Sequence, residues 1–234
     1  MIAALAFLTV VGRGRAPDGR AVRWFPLVGA LIGAVEGGAW WLAAEVLPSG
    51  PAAFVVVAVD LAITGMLHLD GLADTADGLL PHLDRARRLA VMSAPDIGAF
   101  GTGAAVLVLL GRFAALGAQP VVPLLLVALV AASRSGMALA LGTQPYARDE
   151  GLASTFLGDR SVTPLAGLGL LAAVAVGAVG AGWRGAAAVL AAVVAGGAVV
   201  ALARHRVGGY TGDVLGAAGL VGETTGLLVA AGRW

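Results

Sequence analysis

Apolar residues fill this chain in long blocks, and the polar positions between them gather into a few segments. Seven blocks are long enough to cross ~30 Å of hydrocarbon at ~20 residues each. They cover residues 27–47, 52–69, 99–117, 120–142, 163–181, 186–203 and 214–232. The links at 48–51, 117–119 and 182–185 are tight and nearly uncharged, as helical hairpins require, whereas longer polar loops occupy roughly 13–26, 70–98, 144–162 and 204–213. The pattern predicts an all-α, polytopic integral membrane bundle of about seven transmembrane helices, forming one domain over residues 1–234. The first apolar run, residues 1–12, is too short to span. It also lacks the positive start and small-residue cleavage pattern of a signal peptide, so a short interfacial or re-entrant helix is expected there.

Charge orients these blocks. Lys is absent, and eleven of the fifteen Arg residues fall in the four long loops. Only Arg184 and Arg233 lie on the opposite side. Basic residues collect on the cytoplasmic side of membrane proteins. The long loops are therefore expected in the cytoplasm, the C-terminus outside, and the protein in the cell (inner) membrane. Composition agrees: 59% of residues are hydrophobic and 12% charged, about half the charged fraction of a soluble domain. A net charge of +1 gives no nucleic-acid surface, and the absence of Cys excludes thiolate metal sites and Cys nucleophiles.

The most informative polar segment is His68-Leu69-Asp70-Gly71-Leu72-Ala73-Asp74-Thr75-Ala76-Asp77-Gly78, where the second block ends. Asp70, Asp74 and Asp77 stand at i, i+4 and i+7, so a helix places all three on one face. Carboxylates this close repel one another unless a cation sits between them. Mg²⁺ is the natural candidate, since it takes one or two carboxylates together with substrate phosphates. Gly71 and Gly78 would leave room for a bulky phosphate ester. A solvated acidic loop is the plainer alternative. His68 either ends the span at the interface or serves in the chemistry.

Further polar groups recur at the same face. Tyr146-Ala147-Arg148-Asp149-Glu150-Gly151 sets an Arg beside two acids, suited to a phosphate clamp or to a self-neutralising loop. Gly208-Gly209-Tyr210-Thr211-Gly212-Asp213 opens the last block. Its amides could meet a phosphate and Asp213 could join a metal shell, or Asp213 could simply cap a helix. Arg134 and Glu223 lie inside blocks, where an unpaired charge costs at least ~2.5–3.5 kcal/mol. Arg134 could face an anionic substrate or pair with an acid. Arg112, Glu36 and Asp60 share that placement, and structural pairing is expected for them.

These motifs resemble the cobalamin synthases, or adenosylcobinamide-GDP ribazoletransferases, along nearly the whole chain. The segment from His68 to Gly78 looks like that family's hallmark almost letter for letter. Supporting matches are Phe25-Pro26-Leu27-Val28-Gly29, Ser133-Arg134, Tyr146 to Gly151 with Phe156, and Thr211-Gly212-Asp213 through Ala218 and Glu223. One segment departs: Met92-Ser93-Ala94-Pro95-Asp96-Ile97-Gly98 lacks the Asp and Arg that many members carry there.

The resemblance implies a reaction in which the 3′-hydroxyl of α-ribazole, or of its 5′-phosphate, attacks adenosylcobinamide-GDP and releases GMP. It implies Mg²⁺ on Asp70, Asp74 and Asp77, with His68 and Arg134 also catalytic. Arg148, Asp149, Glu150, Thr211, Gly212 and Asp213 would bind substrate. Besides the two substrates the expected partner is the lipid bilayer, and assembly as a homo-oligomer is left open. A CDP-alcohol phosphotransferase is the enzymatic alternative, but Asp74-x-x-Asp77-Gly78 is followed by Pro81-His82 where that family has Ala-Arg. A transporter would want polar groups at the bilayer midplane, whereas the acids here gather at one face.

Overall fold

The computed structural model describes residues 1–12, 19–148 and 162–233. Within them the chain is helical apart from its links: α1 (Ile2–Leu8), a 3-10 turn (Gly19–Trp24), α2 (Phe25–Ala44), α3 (Ser49–Thr64), α4 (Leu67–Leu79), α5 (Arg85–Val91), α6 (Ala99–Gly117), α7 (Pro123–Thr143), α8 (Val162–Val207) and α9 (Gly212–Ala230). Pro sits in the first turn of α2 and α7, where its missing N–H would have had no helical partner.

Among the described residues five helices are long and apolar enough to cross a membrane, and a sixth span arises if the bent pair α3–α4 counts as one. The 46-residue α8 is among the five, yet Ala181 and Gly182 interrupt it with non-helical dihedrals (Gly182 φ 61°). The chain doubles back there, because a Cβ on Gly177 would stand 2.8 Å from the Gly185 carbonyl oxygen. The two arms of α8 match the blocks at 163–181 and 186–203. The chain is thus an integral membrane bundle, and large side chains such as Phe54, Leu107, Leu168 and Val179 stand exposed on its outer surface. Such an apolar exterior suits lipid.

The block at 52–69 is not one straight helix. Gly65 (φ 61°) and Met66 (φ 60°) both take the left-handed conformation, and α4 leaves α3 at 89°. Met66 has a Cβ, so this conformation costs roughly 1–2 kcal/mol. Hydropathy cannot register such a turn, since both residues fit an apolar run. The supposed loop 70–98 is accordingly helical in α4 and α5. The short N-terminal helix is α1, whose buried Ala4 and Leu8 face the bundle.

α7 is the central helix, packed mainly against α2, α8 and α9. Glycines let backbones approach closely, as membrane helix contacts favour. A Cβ at Gly29 or Gly37 of α2 would meet the carbonyl oxygens of Val130 or Pro123 at 2.7 Å. The short links gather at one end of the bundle, where Gly117 neighbours Gly50 and Gly180 neighbours Leu124. The polar links gather at the other end. There Arg88 donates to the carbonyls of Gly78 and Leu79, and Arg206 to that of Leu79, satisfying the C-terminus of α4.

Candidate active site

The polar end holds a cleft of about 150 Å³ lined by His68, Asp70, Tyr146, Arg148, Gly212 and Asp213 among others. α4 reaches it because Gly71 lies against the start of α9: a Cβ there would stand 2.9 Å from Asp213 Cα. Gly78 is likewise a packing residue, pressed on Met92. Neither glycine is reserved for a substrate, contrary to the expectation from sequence. The charges bearing on the half-buried Asp74 carboxyl are those of Asp213, Asp70 and Asp77, with Arg148 opposing them.

Asp77 has a different employment. It is 8% exposed, and its carboxylate accepts from the backbone N–H of Gly98 at 2.6 Å and of Gly101 at 2.9 Å. It therefore anchors the start of α6, where amide dipoles favour an anion. The divergent segment from Met92 to Gly98 delivers one of those amides, while Asp96 itself is exposed. The three acids of α4 thus divide, and Asp213 stands in the charge field of Asp74 as well. Among the described residues no group of three or more His, Cys, Asp or Glu side chains could enclose a metal ion.

Asp213 is placed by its own helix start. Thr211, not Asp213, caps α9, its Oγ1 accepting from Val214 N–H at 3.3 Å and donating to Asp213 Oδ2 at 3.1 Å. Arg148 reaches the same oxygen at 3.0 Å and also donates to the Met92 carbonyl at 3.1 Å. Two loops are clamped to make this possible. Ala147 N–H donates to the Tyr210 carbonyl, Tyr210 N–H donates to the Pro145 carbonyl, and the two Tyr rings lie 5.3 Å apart. Burial raises the Tyr146 phenol above its ordinary range, Arg148 countering and Asp213 adding to the effect. Burial and then Tyr146 push the Tyr210 phenol up to about 12. Both stay neutral at physiological pH and line the clamp without charge.

A second polar cluster lies within the bundle. Arg112 contacts Asp60 at 3.0 Å, Glu223 at 2.8 Å and Glu36 at 4.0 Å, while Arg134 contacts the other Glu223 oxygen at 2.6 Å. All five side chains are buried. The expected structural pairing of Arg112, Glu36 and Asp60 is what the structure contains. Arg134 belongs to this network and not to the cleft, although its Nε and Nη2 lack a hydrogen-bond partner. The acids do not all gather at one face: Glu36, Asp60 and Glu223 meet inside. His68 lines the cleft, 4% exposed, with Nδ1 unpartnered. Asp149 and Glu150 lie outside the described residues.

Comparison with known proteins decides the family. The pattern described as cobalamin-5-phosphate synthase matches residues 1–231. The chain belongs to that family. It is thereby a membrane transferase of cobalamin biosynthesis, and the hallmark segment on α4 is the family's. Among its relatives are the adenosylcobinamide-GDP ribazoletransferases of Shigella boydii serotype 4 and of Escherichia coli O157:H7. Each is 37% identical over 216 residues, covering 89% of this chain and 86% of the relative. No solved structure matches the chain.

Two contributors to the family's site here were not visible in sequence. Arg85 donates to the Val207 carbonyl at 2.8 Å and to the Ala147 carbonyl at 3.0 Å, tying both clamped loops together. It sits in an Arg-rich stretch that reads only as cytoplasmic charge. The Met92 carbonyl, which holds Arg148, carries no side-chain signal at all.

Proposed function

We propose that this chain joins adenosylcobinamide-GDP to α-ribazole or its 5′-phosphate, with release of GMP. The observation that supports this most is the cleft lined by Asp70, Asp213 and Arg148, with Asp74 in their charge field, in a member of this family. The 3′-hydroxyl oxygen of the nucleoside forms a bond to the cobinamide-bound phosphorus, and the phosphorus–oxygen bond to GMP breaks. Displacements of this kind need positioning and charge neutralisation more than covalent participation by the protein. Arg148 swings from Asp213 onto non-bridging oxygens, where its planar fork can grip two at once. His68, which lines the cleft and whose Nδ1 has no hydrogen-bond partner, accepts the hydroxyl proton.

The donor set fits Mg²⁺. The acids are hard oxygen ligands, more numerous than the single Arg148 can balance, and an open site completed by substrate phosphates suits this ion. One or two of Asp70, Asp74 and Asp213 would hold it together with substrate phosphates, since no three acids enclose a site among the described residues, and Asp77 stays at α6. Mg²⁺ bound there would neutralise diphosphate charge. The Arg-rich end carries the cleft, so the catalytic end faces the cytoplasm of the cell (inner) membrane. Thiol labelling of Ser93→Cys and Ser49→Cys variants in intact cells tests this: an impermeant reagent should reach only the Ser49→Cys variant.

The reaction is tested with purified protein, adenosylcobinamide-GDP, α-ribazole and Mg²⁺. GMP and a complete corrinoid should form in equal amounts, and omission of the ribazole should leave the GDP ester intact. GMP without corrinoid would indicate a hydrolase. CMP from a CDP-alcohol would indicate the other phosphotransferase class.

A further inference from the structure

A larger cavity, about 330 Å³, lies between α7, the second arm of α8 and α9. Its volume falls in the range of small-molecule sites, roughly 300–1,000 Å³. The walls are mainly Gly, Ala, Leu and Val. Two of its residues, Met137 and Leu215, also line the acid cleft, so the two spaces are neighbours separated by those side chains. We infer that this cavity receives the base of the nucleoside nucleophile. The inference rests on the reaction proposed above and adds a subsite to it.

The chemistry of the ligand selects the place. A ribazole carries a flat, uncharged benzimidazole, an apolar group joined to a polar ribose. Its 3′-hydroxyl must reach phosphorus in the acid cleft, so the base must lie next door, in a space that rewards apolar area. Glycines keep the facing walls flat. Gly136 on α7 and Gly197 on α8 both line the cavity, and a Cβ at either would meet nothing within 4 Å. Ser133, Thr143, Gln144, Arg204 and Glu223 are the polar residues on its wall. Ser133 Oγ accepts from Arg134 at 2.7 Å and donates to no acceptor among the described residues. Its proton can go to the unsubstituted ring nitrogen. A lipid tail would use the apolar walls but neither this hydroxyl nor the adjoining cleft.

The open space at the two glycines makes them the positions to test, because a Cβ added at either meets no neighbour within 4 Å. Gly136→Leu and Gly197→Leu should raise the KM for α-ribazole at least ~10-fold while the KM for adenosylcobinamide-GDP stays within about 2-fold. A readout independent of turnover comes from Gly136→Cys, the chain being otherwise free of Cys. α-Ribazole should protect its thiol from a small alkylating reagent, and adenosylcobinamide-GDP should not. Normal turnover with unchanged nucleoside KM and no protection would overturn the subsite and leave the reaction standing. Protection by α-ribazole without any corrinoid synthesis would support the subsite and sink the reaction. Alkylation indifferent to α-ribazole but slowed in phosphatidylcholine vesicles would show a lipid groove instead, and so overturn the inference.

Discussion

Two clusters of carboxylates and arginines occupy this bundle, and they are built from the same residue types to opposite ends. Inside the bundle Arg112 and Arg134 face Glu36, Asp60 and Glu223, with every side chain buried and the ion pairs made within the protein. At the polar end Asp70 and Asp213 border a cleft, Asp74 stands in their charge field, and Arg148 pairs with Asp213. The interior cluster ties the helices to one another through these ion pairs, although both Glu36 oxygens and Arg134 Nε and Nη2 make no hydrogen bond. An acid-rich, half-open cluster is incomplete without a cation or an anion-bearing substrate complex. The lesson is that intramembrane charge alone does not mark a site. What distinguishes the site is a set of acids at the polar end of the bundle, beside a cleft bordered by an arginine that can turn to a phosphate.

Removing the metal gives the largest expected effect on this comparison. EDTA should abolish turnover and Mg²⁺ restore it, while the thermal stability of the detergent-solubilised protein barely moves. Full activity in excess EDTA would remove Mg²⁺ from the cleft. The next effect concerns Arg148. Arg148→Lys should recover little of the activity lost in Arg148→Ala, since an ammonium cannot reproduce the bidentate fork. A Lys variant at wild-type kcat would reduce Arg148 to balancing Asp213.

Asp77 gives a smaller effect and sharpens the division within α4. Its carboxylate accepts two amides at the start of α6, so Asp77→Asn should lower stability by about 1 kcal/mol, in the range of a lost helix cap. Turnover per folded molecule should fall less than in any Asp74 variant. An Asp77→Asn enzyme of normal stability but no activity would return Asp77 to the metal shell. Smallest of all, Thr211→Ala should cost about 1 kcal/mol through the cap of α9, and raise KM only as far as Asp213 drifts.

Much of the architecture was legible because bilayer-crossing helices announce themselves by unbroken apolar length. The blocks at 99–117, 120–142 and 214–232 became α6, α7 and α9 with small shifts of their ends. The turn at Gly65–Met66 was not legible, because it is written in backbone dihedrals that an apolar Met does not betray. The acids of the hallmark segment were visible as a helical face. Their division was not: it depends on Gly98 and Gly101 arriving from α6, and on Gly71 admitting Asp213 from α9. For the same reason Arg134 was open to two roles, since only the fold shows that Glu223, 89 residues away in sequence, is its partner.

The most direct test sets one variant from each cluster side by side, measuring turnover per folded molecule and thermal stability on the same preparations. Asp74→Asn should lose at least ~10²-fold in kcat, as loss of a transition-state charge partner does, with stability near that of the parent. Arg112→Met leaves buried acids without their cation and should cost about 3–5 kcal/mol of stability, with the molecules that remain folded still turning over. The opposite outcome, an unstable Asp74→Asn protein that retains its rate and a stable Arg112→Met protein without one, would place the chemistry inside the bundle and contradict the account.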